Sequence, residues 1–171
     1  EHYGRRDFAF EKLLMVDGTA GSTVDTQRHG GFLKGIGLTD GSPEIKGHTA
    51  ANGDQSLAQQ GMENLLQRST DINAVYSMNE PMGRGAYAAL KARGLTGQIV
   101  MGSIDGGCEG VQNVKDGQFA ATVMQFPKKM AEQGVLAAVE YAKTGKKPSG
   151  FVNTGSAVIT DKPLPGIESH D

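Results

Sequence analysis

Four side chains in this 171-residue sequence, Arg28, Asn79, Asp105 and Gln125, carry planar or forked polar groups that can each engage two neighbouring atoms. A carboxylate accepts from two hydroxyls and a guanidinium donates to two oxygens, which is the pairing that adjacent hydroxyls of a sugar require. At roughly 1.5 to 3 kcal/mol for each hydrogen bond to a charged group, a few of them support an affinity of about micromolar, near 8 kcal/mol, once water is excluded. Each residue also has a plainer reading. Asp105-Gly106 reads as a turn, Asn79 as a helix cap before Pro81, Gln125 as a residue preceding a helix, and Arg28 as part of a solvated helix face. Their common location among the predicted elements is what joins them into a candidate site.

Short apolar runs alternate with amphipathic stretches along most of the chain, the signature of repeated βα units around a parallel sheet with helices on its faces. Leu13–Val16 forms the first run. It leads through a glycine-rich turn to Ser22 and Thr23, either of which can cap a helix reaching about Lys34. Glu44–Thr49 is the second run. Asp54 then opens a helix whose apolar positions Leu57, Ala58, Met62, Leu65 and Leu66 fall at helical spacing. Ile72–Tyr76 is the third strand, and Pro81 suits the first turn of the helix that follows, with Met82, Ala86, Ala89 and Leu90 on its buried face and Gly94 at its end. Ile99–Met101 and Ala120–Met124 are the fourth and fifth strands, with a short helix carrying Val111 and Val114 between them. Pro127 begins a long helix to about Lys143, and residues 151–160 read as irregular strand. In open parallel sheets ligands bind outside the carboxyl ends of the strands. Asn79, Asp105 and Gln125 each lie just past a strand, and Arg28 can reach back over the same edge from the first helix.

Composition narrows the function classes. The 37% apolar and 21% charged content is that of a globular domain, and the length fits one domain or one large lobe of a two-lobed protein. With 17 basic and 19 acidic residues the formal charge is −2, which offers no field for a nucleic-acid backbone and no polybasic run for an anionic membrane. No apolar run is long enough to cross a bilayer. Nothing at Glu1 resembles a signal peptide, and the abrupt start reads as that of a fragment. Cys108 is the single cysteine, so a cysteine-rich zinc site is excluded, and the plain reading is a small buried thiol. His2 and His170 stand near the ends, and His29 and His48 are too separated in sequence to suggest a metal pair. Neither a metal nor a cofactor is expected.

In order along the chain, Thr19-Ala20-Gly21 with Arg28 and Gly31-Phe32, Met62-Glu63-Asn64-Leu65-Leu66, Asn79-Glu80-Pro81-Met82 with Gly85-Ala86, Ser103-Ile104-Asp105-Gly106, Val114-Lys115-Asp116-Gly117 and Ala121-Thr122-Val123-Met124-Gln125-Phe126-Pro127 resemble the ribose- and galactose-binding type of periplasmic protein. The resemblance spans residues 13 to about 160. Arg28-His29, Gly53-Asp54-Gln55, Asn79-Glu80-Pro81 and Asp105-Gly106-Gly107-Cys108 read most like its fructose-importer branch. It implies a Rossmann-like α/β lobe, the carboxyl-terminal one of a type I periplasmic binding protein whose two lobes close on a monosaccharide. Residues 1–171 would form that lobe, with about 127–153 belonging to the amino-terminal lobe of the intact protein and Glu1–Glu11 the end of this lobe's first helix.

The family's ligand contacts in this lobe fall at Arg28, Asn79, Asp105 and Gln125, with Thr19 as a backbone or wall contact. Many relatives carry an aromatic ring where Gly53 and Ile104 stand, so ring stacking is implied to come from the other lobe. Members of the fructose branch bear a cysteine in a short carboxyl-terminal tail, which implies Cys108 as half of a disulfide.

The resulting expectation is the substrate-binding component of an ABC importer, periplasmic, taking a fructose- or ribose-like monosaccharide. Its partners are the importer's membrane subunits and, as a further docking partner, a chemoreceptor. The alternative is the effector-binding part of a lactose-repressor-type regulator, which a helix-turn-helix upstream of residue 1 would mark. An enzyme is not expected. Asp17, Glu80 and Asp105 offer carboxylates, and a pair about 5 to 10 Å apart can hydrolyse a glycoside. The chain nevertheless lacks the nucleophile-elbow, phosphate-loop and zinc-protease motifs.

Overall fold

The computed structural model of the protein describes residues 11–161. Its strands are β1 (Leu13–Asp17), β2 (Ile45–Ala50), β3 (Ala74–Ser77), β4 (Val100–Asp105), β5 (Ala121–Gln125) and β6 (Ser156–Ile159). Between them run α1 (Thr23–Ile36), α2 (Gln55–Arg68), α3 (Glu80–Ala92), α4 (Cys108–Lys115) and α5 (Pro127–Thr144). The six strands form one sheet in the order β2-β1-β3-β4-β5-β6. All neighbours pair parallel except β5 and β6, which are antiparallel.

The burial of each strand follows from its place in that order. β1 reads Leu-Leu-Met-Val-Asp without alternation and is buried up to its last residue, as a strand covered on both faces must be. β2, at the sheet edge, alternates half-buried and exposed positions instead. On one face Leu14, Gly47 and Leu65 meet, where a side chain at Gly47 would collide with Leu65 of α2. On the other, Tyr76 stacks on Phe32 of α1 with ring centroids 4.0 Å apart. α2 and α3 lie close together because Gly85 lets α3 approach the backbone of Gln55, a contact no Cβ would permit.

Helix starts follow local capping. Ser22, Asp54 and Asn79 each accept a hydrogen bond from a first-turn backbone N–H, that of Asp25, Leu57 and Met82 respectively. Most expected boundaries hold to within about three residues, but β4 runs to Asp105 rather than to the expected Met101, β6 starts at Ser156 rather than at the expected residue 151, and further differences concern single residues. Leu57, in the first turn of α2, is exposed rather than on the buried face. Ile72 is buried but precedes β3. The sheet is not wholly parallel: β6 pairs antiparallel with β5, although the long α5 between them would also permit a parallel crossover. The expectation for Glu1–Glu11 falls, apart from Glu11, outside the described residues. No helix among the described residues is long and apolar enough to cross a membrane.

Candidate functional site

Asp105 ends β4, and its carboxylate is the point where three elements meet. Its Oδ1 accepts from Arg28 Nη1 of α1 at 3.2 Å and from Gln125 Nε2 at the end of β5 at 2.7 Å. Arg28 Nη1 also donates to the carbonyl of Met78, just past β3, at 2.8 Å. Sheet order explains the convergence. β1 and β3 are neighbours whose following helices leave on opposite faces, so a crevice opens beyond their carboxyl ends. The Arg28 and Asp105 side chains keep 17% and 29% of their exposure, so the pair is shielded from bulk water while still reachable by a ligand.

Asn79 stands beside this pair but divides its side chain between two tasks. Its Oδ1 accepts from Met82 N at 3.0 Å, so the capping role is realised. Its Nδ2 makes no hydrogen bond among the described residues and lies next to Gly53, whose φ of +84° disfavours any side chain there. Arg28 Nη2 and Nε and Gln125 Oε1 are likewise not engaged among the described residues. Asp105 Oδ2 has only a long contact of 3.4 Å from Glu80 N. The cluster therefore presents spare donors at Arg28 and Asn79 and spare acceptors at Asp105 and Gln125, the complement of groups that both donate and accept. Thr19 is exposed in the turn after β1 and lies outside this hydrogen-bonded set; its carbonyl accepts from Ser22 N.

The cluster rests on Glu80, whose positioning role the sequence reading did not identify. Glu80 is 4% exposed. Its Oε1 accepts from Gly106 N at 2.8 Å and Thr122 Oγ1 at 2.6 Å, and its Oε2 from Gly107 N at 3.3 Å. These bonds fix the turn that carries Asp105, which holds a φ of 152° that non-glycine residues rarely adopt. The available signal was Asn79-Glu80-Pro81 itself, an acid in the first turn of a helix whose amino end receives negative charge favourably.

Two further features flank the site. An open groove of about 1130 Å³ shares Arg28 and Gln125 at one end but is otherwise lined largely by apolar groups such as Phe32, Ile104, Val123 and Phe151. Its polar end is the cluster just described, and the rest has little to offer a hydroxyl. Toward the β2 edge, His29 and His48 are stacked with centroids 5.7 Å apart, although their separation in sequence gave no hint of a pair. That expectation is corrected: β1–β2 pairing and the path of α1 bring both rings to Asp17. Burial disfavours a charge on His29, but hydrogen bonds to Asp17 and Asp40 and their charges outweigh it, leaving its pKa above the ordinary 6.5. Cys108 is exposed at the start of α4 rather than a buried thiol, because the chain turns outward at Gly106-Gly107. His2 and His170 lie outside the described residues.

Comparison with known proteins agrees with this geometry. The periplasmic binding protein domain family matches residues 2–147. The ribose import binding protein of Salmonella typhimurium is 31% identical over 135 residues, covering 79% of this chain and 45% of that protein. An ABC transporter periplasmic solute-binding protein from Actinobacillus succinogenes, solved with bound D-allose, superposes with a TM-score of 0.72 at 27% identity, covering 86% of this chain and 52% of its own. The fructose-binding periplasmic domain of a hybrid two-component system superposes at 0.74 with 27% identity, over 88% of this chain and 50% of its own. The chain thus spans about half the length of the relatives it matches. Its six-stranded, mostly parallel sheet with five helices matches a lobe of the type I periplasmic binding fold. These relatives are solute-binding proteins, not enzymes. The chain belongs to the periplasmic binding protein domain family.

Proposed function

We propose that this chain is the carboxyl-terminal lobe of the sugar-binding component of an ABC importer, working in the periplasm and gripping a monosaccharide with Arg28, Asn79, Asp105 and Gln125. The observation that carries this reading is the Asp105 carboxylate held between Arg28 and Gln125, with donors and acceptors to spare around it. Each sugar hydroxyl is both donor and acceptor, so the mixed set can saturate a pair of neighbouring hydroxyls where a purely acidic or basic site could not. Thr19 then serves as a backbone or wall contact. A fructose- or ribose-like sugar fits the two solved and curated relatives that bind fructose and ribose.

The second wall of the cleft belongs to an amino-terminal lobe of the same protein, and closure of the two lobes excludes water. α5 supports this division. It buries no residue against the described core although Val135, Leu136, Val139 and Tyr141 are exposed on it, as for a helix whose packing partner lies in the other lobe. Residues of about 127–153 accordingly belong to that lobe, and Gln125 sits at the crossing. The loaded protein docks on the membrane subunits of the importer, and a chemoreceptor is a second partner of the same closed form.

The test uses the two-lobed protein. A thermal-shift screen against pentoses, hexoses and polyols should find a monosaccharide that raises Tm, since a ligand of the folded state stabilises it by mass action. Calorimetry with that sugar should show Asp105→Ala losing at least tenfold in affinity. An unchanged affinity in Asp105→Ala, or a panel with no stabilising sugar, would refute the reading.

A further inference from the structure

We propose that Asp17, His29 and His48 form a binding site for a divalent first-row metal ion, Zn²⁺ foremost, at the β2 edge of the sheet. One ligand atom from each lies within 4.8 Å of the other two. Asp17 Oδ1 is 2.7 Å from His29 Nδ1 and Asp17 Oδ2 is 3.0 Å from His48 Nδ1. Tetrahedral coordination with bonds of about 2.0–2.1 Å separates ligand atoms by about 3.3 Å, so an ion enters by widening these two contacts by about 0.3 to 0.6 Å while any ligand atoms near the 4.8 Å limit draw together. Two imidazoles and a carboxylate are a donor set suited to Zn²⁺ and leave a fourth position for water.

Two features outside the three ligand atoms point the same way. Asp40 Oδ1 lies 2.5 Å from His29 Nε2, the arrangement in which a carboxylate fixes a metal-bound histidine by holding the proton on its distal nitrogen. That leaves Nδ1 to the ion, which replaces the proton otherwise shared with Asp17. The near-parallel histidine rings, 20° apart, bring both Nδ1 atoms to the same carboxylate. The ligands also come from distinct elements: Asp17 from the end of β1, His48 from the adjacent strand on the same sheet face, and His29 from the second turn of α1. The Asp17 and Asp40 carboxylates bring acidic groups to the site to offset the charge of the ion. Solvent reaches the cluster through His48, whose side chain is 38% exposed. None of the three ligand residues is among the proposed sugar contacts, although His29 directly follows Arg28.

The experiment is calorimetric titration of ZnCl₂ into the full-length protein carrying Cys108→Ser, repeated with His48→Ala, His48→Gln and Asp40→Asn. Co²⁺ is titrated in parallel and followed by its visible ligand-field absorption. One Zn²⁺ per chain is expected, with a tetrahedral Co²⁺ spectrum. Affinity should fall at least tenfold in both His48 variants, and about 10- to 100-fold in Asp40→Asn, where the ligands stay but their orienting carboxylate charge is lost. Unfolding midpoints of the zinc-free variants near that of the parent show that the loss is one of ligands rather than of fold. Absence of binding by the parent, or binding by His48→Ala and His48→Gln as tight as the parent's, overturns the assignment; the latter places zinc on other groups.

Discussion

The hydroxyl of Thr122 donates to the carboxylate of Glu80 across 2.6 Å, tying the middle of β5 to the first turn of α3 beneath the Asp105 turn. The same carboxylate accepts from Gly106 N and Gly107 N, so one buried side chain serves three donors contributed by two other elements. Gly110 approaches so closely that any Cβ there would overlap the Glu80 carboxylate, which explains glycine at that helical position.

Replacing Glu80 should therefore cost more than a single contact. Glu80→Gln presents an amide donor to groups that are themselves donors, and Glu80→Ala leaves the buried Thr122 hydroxyl and the part-buried Gly106 N–H without this acceptor, each worth about 1 to 3 kcal/mol. A loss of roughly 2 to 4 kcal/mol is expected in either variant. Tm by calorimetry should fall by roughly 5 to 15 °C for a domain of this size. A change below about 2 °C would show that the turn holds itself.

Most of the fold was legible because its signals are local. Ser22, Asp54 and Asn79 cap helices in the plain sense of their residue types, and the unbroken apolar run of β1 marks a strand covered on both faces. The candidate site was legible in part, since Asn79, Asp105 and Gln125 lie at or just past strand ends and Arg28 reaches that edge from α1. What escaped is tertiary. Glu80 takes its partners from 26, 27 and 42 residues away. His29 meets His48 only in the folded chain, where a residue of α1 stacks on one of β2, and no spacing rule brings a helix residue to a strand residue at that separation. Asn79 shows the limit of choosing between readings by residue type: its oxygen caps the helix while its amide nitrogen stays with the site.

Arg28 should tolerate no conservative replacement if it grips a ligand as proposed. Its guanidinium reaches Met78 O and Asp105 Oδ1 through a single nitrogen and keeps the rest of its planar fork available. A lysine ammonium can satisfy one or the other but presents no second parallel donor. Arg28→Lys should weaken monosaccharide binding in the two-lobed protein about 10- to 100-fold by calorimetry while shifting Tm by no more than about 3 °C. Equal affinities would remove Arg28 from the ligand contacts.

α1 carries three interior glycines, Gly30, Gly31 and Gly35, each of which costs a helix about 1 kcal/mol relative to alanine. A Cβ at Gly35 meets nothing within 4 Å, and the residue is exposed. Gly35→Ala should therefore stabilise the fold by about 0.5 to 1 kcal/mol, read as a rise in the urea midpoint at constant slope. Destabilisation would mean that an unseen neighbour occupies that face of the helix.

Tyr76 tests whether its hydroxyl contributes anything to the fold. The ring stacks on Phe32, but Oη is buried and has no hydrogen-bond partner among the described residues, and burial drives the phenol pKa upward, with Arg28 opposing the shift and Asp17 and Asp25 adding to it. A buried hydroxyl without a partner costs about 1 to 3 kcal/mol in lost hydration, whereas the stacked ring retains its apolar contacts without it. Tyr76→Phe should accordingly be neutral or stabilising by up to about 1 kcal/mol, while Tyr76→Ala should cost about 3 kcal/mol or more through the cavity it leaves. Denaturant titration of the two variants separates the terms. A Tyr76→Phe protein clearly less stable than the parent would require a hydrogen-bond partner for Oη in the folded state.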